Sequence, residues 1–293
     1  DPKGFLSSQP EYIFEKMTGE KGVSLSVASG TGFMNIGSLE WDQEILDFAG
    51  IKEEQLSPLY ELGYTAPLKS EVARELGLKT GTPVAIPGPD GALNQVGAGA
   101  LGKGLMTMSV GTSGALRIAS QTPVLPQNPS TWCYYVAHGK WLAGAATSGA
   151  GNCIEWFLQK ANQGKLDYDI LDDLAGKVNK EDAPIFLPFL YGERCPGWQD
   201  TRAGGYFQLK GHHEIGDLYY SILEGILFNL YQCYIILSQL GGVPSQIRIS
   251  GGIENSRRWL QMAADIFQKK IYTSRVEHAS TMGAVAVALK AVD

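Results

Sequence analysis

The sequence predicts an α/β fold on a mixed sheet, and three observations predict it. Apolar strands come in hairpin pairs across residues 105–119 and 132–144. Strand and helix patterns then alternate from residue 246 to the end. Between them, residues 217–240 carry the longest helical pattern, continuously apolar on one side. Hairpins followed by alternation fit a mixed sheet and not a purely parallel one.

The elements follow in order. A short helix spans 9–18, with Pro10 in its first turn, where a missing N–H is harmless. Residues 23–35, small, apolar and Gly-rich, read as irregular strand and loop. Trp41, Ile45, Leu46 and Phe48 fall close to one face of a helix over 41–50, and Gly50 suits its left-handed end. A second short helix covers 68–76 and stops at Gly77. A strand over 84–86 runs into Pro87-Gly88-Pro89-Asp90, and a helix of small residues follows over 91–100. Strands at 105–110 and 115–119 flank Gly111-Thr112-Ser113-Gly114. Strands at 132–137 and 140–144 turn at His138-Gly139. A helix over 152–160, a buried strand over 185–190 and the long helix come next. The chain closes with a strand at 246–250, a helix at 257–268, a strand at 270–273 and a helix at 281–292. The best boundary is the flexible pair around Lys103, which divides residues 1–103 from 104–293.

Composition narrows the function. The 293 residues carry a formal net charge of −6 and no Lys/Arg run, so no basic surface for nucleic acid is expected. Cys133, Cys153, Cys195 and Cys233 are too far apart for C-x-x-C, and reduced cytosolic thiols are the expectation. The adjacent His212 and His213 cannot face one way on a strand, and no H-E-x-x-H occurs, so no metal site is expected. No apolar run approaches the roughly 18 residues of a membrane span. The opening DPKGFLSSQPEY lacks the basic and apolar regions of a signal peptide and does not look like a natural beginning.

Gly97, Gly99 and Gly102 match G-x-G-x-x-G, and with Lys103 nearly a P-loop. Both readings fail on context. A dinucleotide loop follows a strand and opens a helix, so that free amides meet phosphate. Here the glycines end a helix, and Gly104 stands where a P-loop needs Ser or Thr. Packing and helix termination suit them better.

Four other turns could carry chemistry. The tip Gly111-Thr112-Ser113-Gly114 can offer amides and hydroxyls to phosphate, or be an ordinary hairpin loop. Gly149 and Gly151 precede a helix, a phosphate- or ribose-friendly place or simply a loop. Gly251 and Gly252 stand between strand and helix, where a flat base can approach the backbone. Asn255 can then bond that base or cap the helix. Asp90, between strand and helix, is an N-cap or a general base for a substrate hydroxyl. Glu193 and Arg194 form a structural salt bridge or a cleft element. Trp156 and Trp259 read as core.

Segments in one order tie these turns together: YIFEKMTGE, LEWDQEILDFAGI, GPDGALNQVGAGAL, MSVGTSGALR, FLPFLYGERCPGW, SGGIENSRRWLQMAADIF and STMGAVAVALKA. From about Pro10 to the end they resemble the FGGY family of carbohydrate kinases. TSGALR, a Cys-Tyr in the next hairpin and EGILFNLY look most like gluconate kinases, with xylulose kinases the runner-up. The resemblance implies the two-lobed actin/hexokinase-like ATPase fold, with ATP and Mg²⁺ as cofactors. It implies a cytoplasmic enzyme acting on a sugar or sugar acid, with no nucleic acid or membrane partner, and it is compatible with a homodimer. Asp90 would be the catalytic base and would meet the substrate. Gly111, Thr112 and Ser113 would hold ATP phosphates. Gly151, Glu155, Gly251, Gly252 and Asn255 would make the other nucleotide contacts.

The resemblance also implies an incomplete kinase. Family members open with a D-x-G-T hairpin that holds Mg²⁺, and most sugar contacts come from the same missing part of the N-terminal lobe. No metal ligand is therefore assigned in this chain. Two readings from other classes stay open. One is a non-catalytic sugar or nucleotide sensor on the same fold, against which Asp90 argues. The other is a nicotinamide-dependent oxidoreductase, suggested by Gly spacing and opposed by strand order.

Overall fold

In the computed structural model, which describes residues 4–161, 163–273 and 278–292, a sheet of six strands organises the larger part of the chain. Short elements precede it. Helix α1 (Gln9–Thr18) starts where Glu11 accepts the Ser8 backbone N–H at 2.7 Å and ends at Gly19, φ +83°. Then come β1 (Val23–Ser24), α2 (Leu25–Ala28), β2 (Met34–Asn35), β3 (Glu40–Trp41) and α3 (Gln43–Ala49). They are followed by β4 (Leu59–Tyr60), β5 (Thr65–Pro67), α4 (Ser70–Leu76), β6 (Pro83–Ala85) and α5 (Asp90–Gly97).

Two expectations fail in this region. Trp41 lies on β3, paired with Met34, and the helix starts only after Asp42, whose side chain accepts the Ile45 N–H. Phe48 is 92% exposed, so the apolar face proposed for α3 reduces to the buried Leu46. The stops hold: Gly50 and Gly77 both adopt φ +67°, which favours a residue without Cβ.

The main sheet has the order β14-β13-β7-β8-β10-β9. Strands β7 (Leu105–Val110), β8 (Gly114–Ser120), β9 (Trp132–Ala137) and β10 (Lys140–Thr147) pair antiparallel. Strands β13 (Gln246–Gly251) and β14 (Lys270–Thr273) add in parallel to β7. The sheet is mixed, as the pattern predicts. The β9–β10 turn has φ +49° at His138 and +67° at Gly139, the double positive φ of a tight hairpin.

Between β10 and β13 lie α6 (Gly151–Trp156), α7 (Tyr168–Ala175), β11 (Ile185–Leu187), β12 (Gly205–Phe207) and α8 (Ile215–Gly241). A π turn over Phe157–Ala161 extends α6. Helices α9 (Arg257–Phe267) and α10 (Ala279–Val292) complete the chain. The strand expected to be buried over 185–190 is shorter: β11 buries Phe186 and exposes Ile185 and Leu187. It is one arm of a small ribbon with β12.

Helix α8 carries the core. Leu223, Ile226, Leu227, Leu230 and Leu237 are fully buried, in one cluster with Met106, Met108, Leu116 and Ile118 of the sheet. Each such side chain contributes about 1.5–3 kcal/mol of hydrophobic burial. At 27 residues α8 is long and apolar enough to cross a membrane by length and composition, contrary to the expectation that no segment reaches that size. Most of it is buried, because both the sheet and α7 pack against it.

The other sheet face is more polar. Gln95 of α5 accepts the Thr107 hydroxyl at 2.9 Å, and Ala92 packs with Val136 and Leu142. Helix α10 crosses α5 closely. A Cβ on Gly97 would lie 1.9 Å from the Ala279 carbonyl oxygen, and one on Gly283 would lie 1.9 Å from that of Leu93. Gly97, the first glycine of the rejected dinucleotide pattern, is thus a packing residue at a helix end.

Candidate functional site: a cavity where three turns meet

The β7–β8 hairpin tip is the centre. Gly111 and Thr112 are exposed there and Ser113 is half-buried. The head of α6 docks onto the tip, with Gly151 N–H donating to Gly111 O at 2.8 Å and Asn152 N–H to Thr112 O at 3.1 Å. These bonds revise the expectation for the α6 head. Its first amides serve the hairpin and are not free donors. Gly151 is required for the approach, since a Cβ would lie 2.5 Å from Gly111 O. From the other side, Gly251 (φ +98°) passes so near that a Cβ would lie 2.4 Å from Val110 O.

These close approaches leave a cavity of about 430 Å³, within the usual range for a small-molecule site. Of the residues singled out in the sequence, Gly111, Thr112, Gly151, Glu155, Gly252 and Asn255 line it. Ser113 and Gly251 stand beside it and shape it without lining it.

The cavity also takes residues that the sequence reading missed. Tyr168, Asp169 and Asp172 come from α7, a helix not anticipated. Its signal was present: Asp167 caps it by accepting the Ile170 N–H at 3.0 Å, and Leu171 and Ala175 give the buried spacing. Ser256 joins α7 to α9. Its hydroxyl donates to Asp172 at 2.8 Å and accepts the Trp259 N–H at 3.0 Å. Trp259, read as core, is 4% exposed and also lines the cavity, with its indole N–H donating to Leu223 O. Hydroxyl and amide groups therefore lie at the hairpin end, and the carboxylates Glu155, Asp169 and Asp172 lie along α6 and α7.

Asp90 is outside this cavity. It is the first residue of α5, the N-cap being Pro89, so the simple capping role does not apply. The side chain is exposed and accepts the Gly91 N–H at 2.7 Å, and the Asp90 backbone oxygen accepts Ser280 Oγ from α10.

The Glu193–Arg194 pair is not a pair. Glu193, 1% exposed, binds Arg202 at 2.7 Å, while Arg194 donates to Thr147 O at 2.9 Å. Burial pushes the Glu193 carboxyl up, and Arg202 opposes that shift. The adjacent histidines converge after all, because they lie in a turn and not on a strand. His212 Nε2 meets the Asp182 carboxylate at 2.6 Å and His213 Nε2 meets the Asp182 backbone oxygen at 2.8 Å. The His213 Nδ1 accepts the Lys210 backbone N–H at 3.0 Å. Both ring nitrogens of His213 are thus engaged within the protein, and Lys210 also binds Asp182.

The architecture, a mixed-sheet lobe with a cavity between hairpin and helices, is that of the actin/hexokinase-like ATPases. Residues 5–97 match the N-terminal domain, and residues 106–292 the C-terminal domain, of the FGGY family of carbohydrate kinases. The chain belongs to this family. It is 31% identical to a gluconokinase of Bacillus subtilis over 96% of this chain and 57% of the relative. It is 29% identical to a xylulose kinase of the same species over 95% of this chain and 56% of the relative. The solved structure of a gluconate kinase from Lactobacillus acidophilus superposes with a TM-score of 0.92 at 30% identity, covering 97% of this chain and 58% of that one. A ligand-bound xylulose kinase from the same organism gives the same values. The chain thus spans a little over half the length of these relatives.

Proposed function

We propose that the protein carrying this chain transfers the γ-phosphoryl group of ATP to a hydroxyl of a sugar acid of the gluconate type. The observation that carries the reading is the convergence of Gly111, Gly151 and Gly252 on one cavity of nucleotide size. Its hairpin end presents Gly111 and Thr112 for the phosphates, and its α7–α9 side, with Asn255, takes the nucleoside. Asp90 accepts the proton of the attacking hydroxyl from its place at the head of α5. Phosphoryl transfer needs positioning and charge stabilisation more than covalent help from the protein, so one base and a phosphate cradle are a sufficient core. Closure of a cleft between residues 1–103 and 104–293 would exclude water and limit ATP hydrolysis.

Mg²⁺, when bound with the nucleotide, would supply charge stabilisation at the phosphates. Thr112 and Ser113 supply N–H and hydroxyl groups, which suit phosphate oxygens and not a hard cation, while the Gly111 N–H already donates to Ser113 O at 3.1 Å. The four cysteines are unpaired and buried, in keeping with a cytoplasmic enzyme.

A coupled ADP-release assay with gluconate, xylulose, ribulose and glycerol tests the reading. Turnover on gluconate is expected. Turnover on xylulose in preference would favour the second reading, a ketose kinase, which the similarity to xylulose kinases supports. ATP binding without turnover on any acceptor would favour the sensor. Asp90→Asn is expected to lower kcat by about 10²- to 10⁴-fold, the usual scale for losing general-base catalysis, with ATP affinity nearly intact. Near-normal turnover in that variant would rule out Asp90 as the base.

A further inference from the structure

Arg117 occupies the middle of β8, on the sheet face that meets α5 and away from the α8 core. It pairs in register with Thr107 on one side and Gly144 on the other. Its Nε is buried with no hydrogen-bond partner among the described residues. Its Nη1 reaches Ser109 Oγ at 3.4 Å, near the limit of a hydrogen bond. No carboxylate among the described residues lies within ion-pairing distance of it. Burial pulls its pKa down, while Asp90 and then Tyr134 push it back up. Arg117 is half-buried, and an enclosed guanidinium nitrogen without an acceptor is costly unless something satisfies it.

The surroundings say what kind of group that is. Arg117 Nε lies 3.9 Å from where a Cβ on Gly91 would stand, so the guanidinium sits beside the head of α5 that carries Asp90. Across Gly144 in the sheet register, Trp132 stacks on Tyr134 at 4.4 Å with their rings 18° apart. Gly144 makes room for that wall, since a Cβ there would lie 2.2 Å from the Trp132 ring. An aromatic wall suits the C–H face of a polyhydroxy chain, and a guanidinium fork suits a planar carboxylate.

Arg117 does not line the cavity between hairpin and α7. It is three residues beyond Gly114 along β8, about 10 Å from the hairpin tip at strand rise. Asp90 is near enough to bias the charge of Arg117 and does not pair with it.

We infer that Arg117 binds a carboxylate on the phosphoryl acceptor, so that the site selects a sugar acid over a neutral sugar. The inference rests on the kinase reading above and names the substrate class of that site. One end of a short polyhydroxy acid presents its hydroxyl to Asp90 and the other folds back to Arg117, with Tyr134 and Trp132 along its flank.

The test uses the full-length protein and two variants, Arg117→Met, which keeps an apolar stem of similar length, and Arg117→Lys, which keeps the charge without the fork. Steady-state kinetics with gluconate and with xylulose are paired with calorimetric binding of gluconate in the absence of ATP. In Arg117→Met, KM and Kd for gluconate are expected to rise about 10- to 100-fold, the scale of a lost charge-assisted hydrogen bond, while kcat/KM for xylulose falls far less. Arg117→Lys is expected to recover part of the gluconate affinity. Equal losses on both acceptors would overturn the inference and assign Arg117 to the phosphoryl group. Unchanged gluconate binding would overturn it too. Failure of every acceptor to release ADP would instead refute the kinase reading, while gluconate binding that depends on Arg117 would still stand.

Discussion

At Asp182, main chain and side chain serve two adjacent histidines. The Lys210 ammonium, and then His212, hold the Asp182 carboxyl down at about 2, against an ordinary value of 3.8. A folded-state pKa below the ordinary one means that the favourable contribution is complete above about pH 4 and is lost as pH falls through about 2. NMR titration of the Asp182 carboxyl carbon is expected to show a midpoint near 2, and Lys210→Ala is expected to move it toward the ordinary value. A midpoint already near 3.8 in the parent protein would remove the clamp. Residue types were legible in the sequence, but their partners were not. Glu193 was read beside Arg194 and pairs with Arg202, because the turn between them brings Glu193 and Gln199 into mutual backbone hydrogen bonds. Arg117 stood in the sequence only as the last residue of TSGALR, with no role of its own, since a single arginine on a strand acquires meaning only from the burial of its Nε.

Among the elements, the crossing of α5 and α10 makes the sharpest demand on sequence. Gly97 and Gly283 each face a carbonyl oxygen of the other helix at a distance no Cβ can occupy. Gly283→Val is therefore expected to cost at least about 1–3 kcal/mol, the usual range for overpacking, read as a lower urea midpoint with an unchanged m-value. A variant as stable as the parent would show that the helices can separate freely. Most elements were visible in advance because their signals are local. Alternating apolar residues marked β7 to β10, and the end glycines marked α3 and α4. The misses have local causes as well. Trp41 fits a helical face by spacing, but the Met34 strand claims it. Helix α7 was overlooked because its apolar face is only Leu171 and Ala175 wide.

For the whole molecule, the nucleotide cavity should couple to stability. If ATP binds between β7–β8, α6 and α7–α9, a concentration about 100-fold above its Kd should raise Tm by about 5–10 °C. Gly151→Val, which forces α6 off the hairpin, is expected to abolish that rise, as differential scanning calorimetry would read. An equal rise in both proteins would place the nucleotide elsewhere. The sequence by itself determined the mixed α/β class, the family and six of the cavity-lining residues, because strand alternation, turn glycines and ordered motifs are properties of short stretches. Only the tertiary structure decided that Gly151 and Asn152 give their amides to the hairpin, that α7 closes the cavity, and that the Arg117 Nε is enclosed without a partner near the head of α5. Those facts depend on which distant segments touch, and hydrogen bonding and burial between segments tens of residues apart leave no periodic trace in the chain.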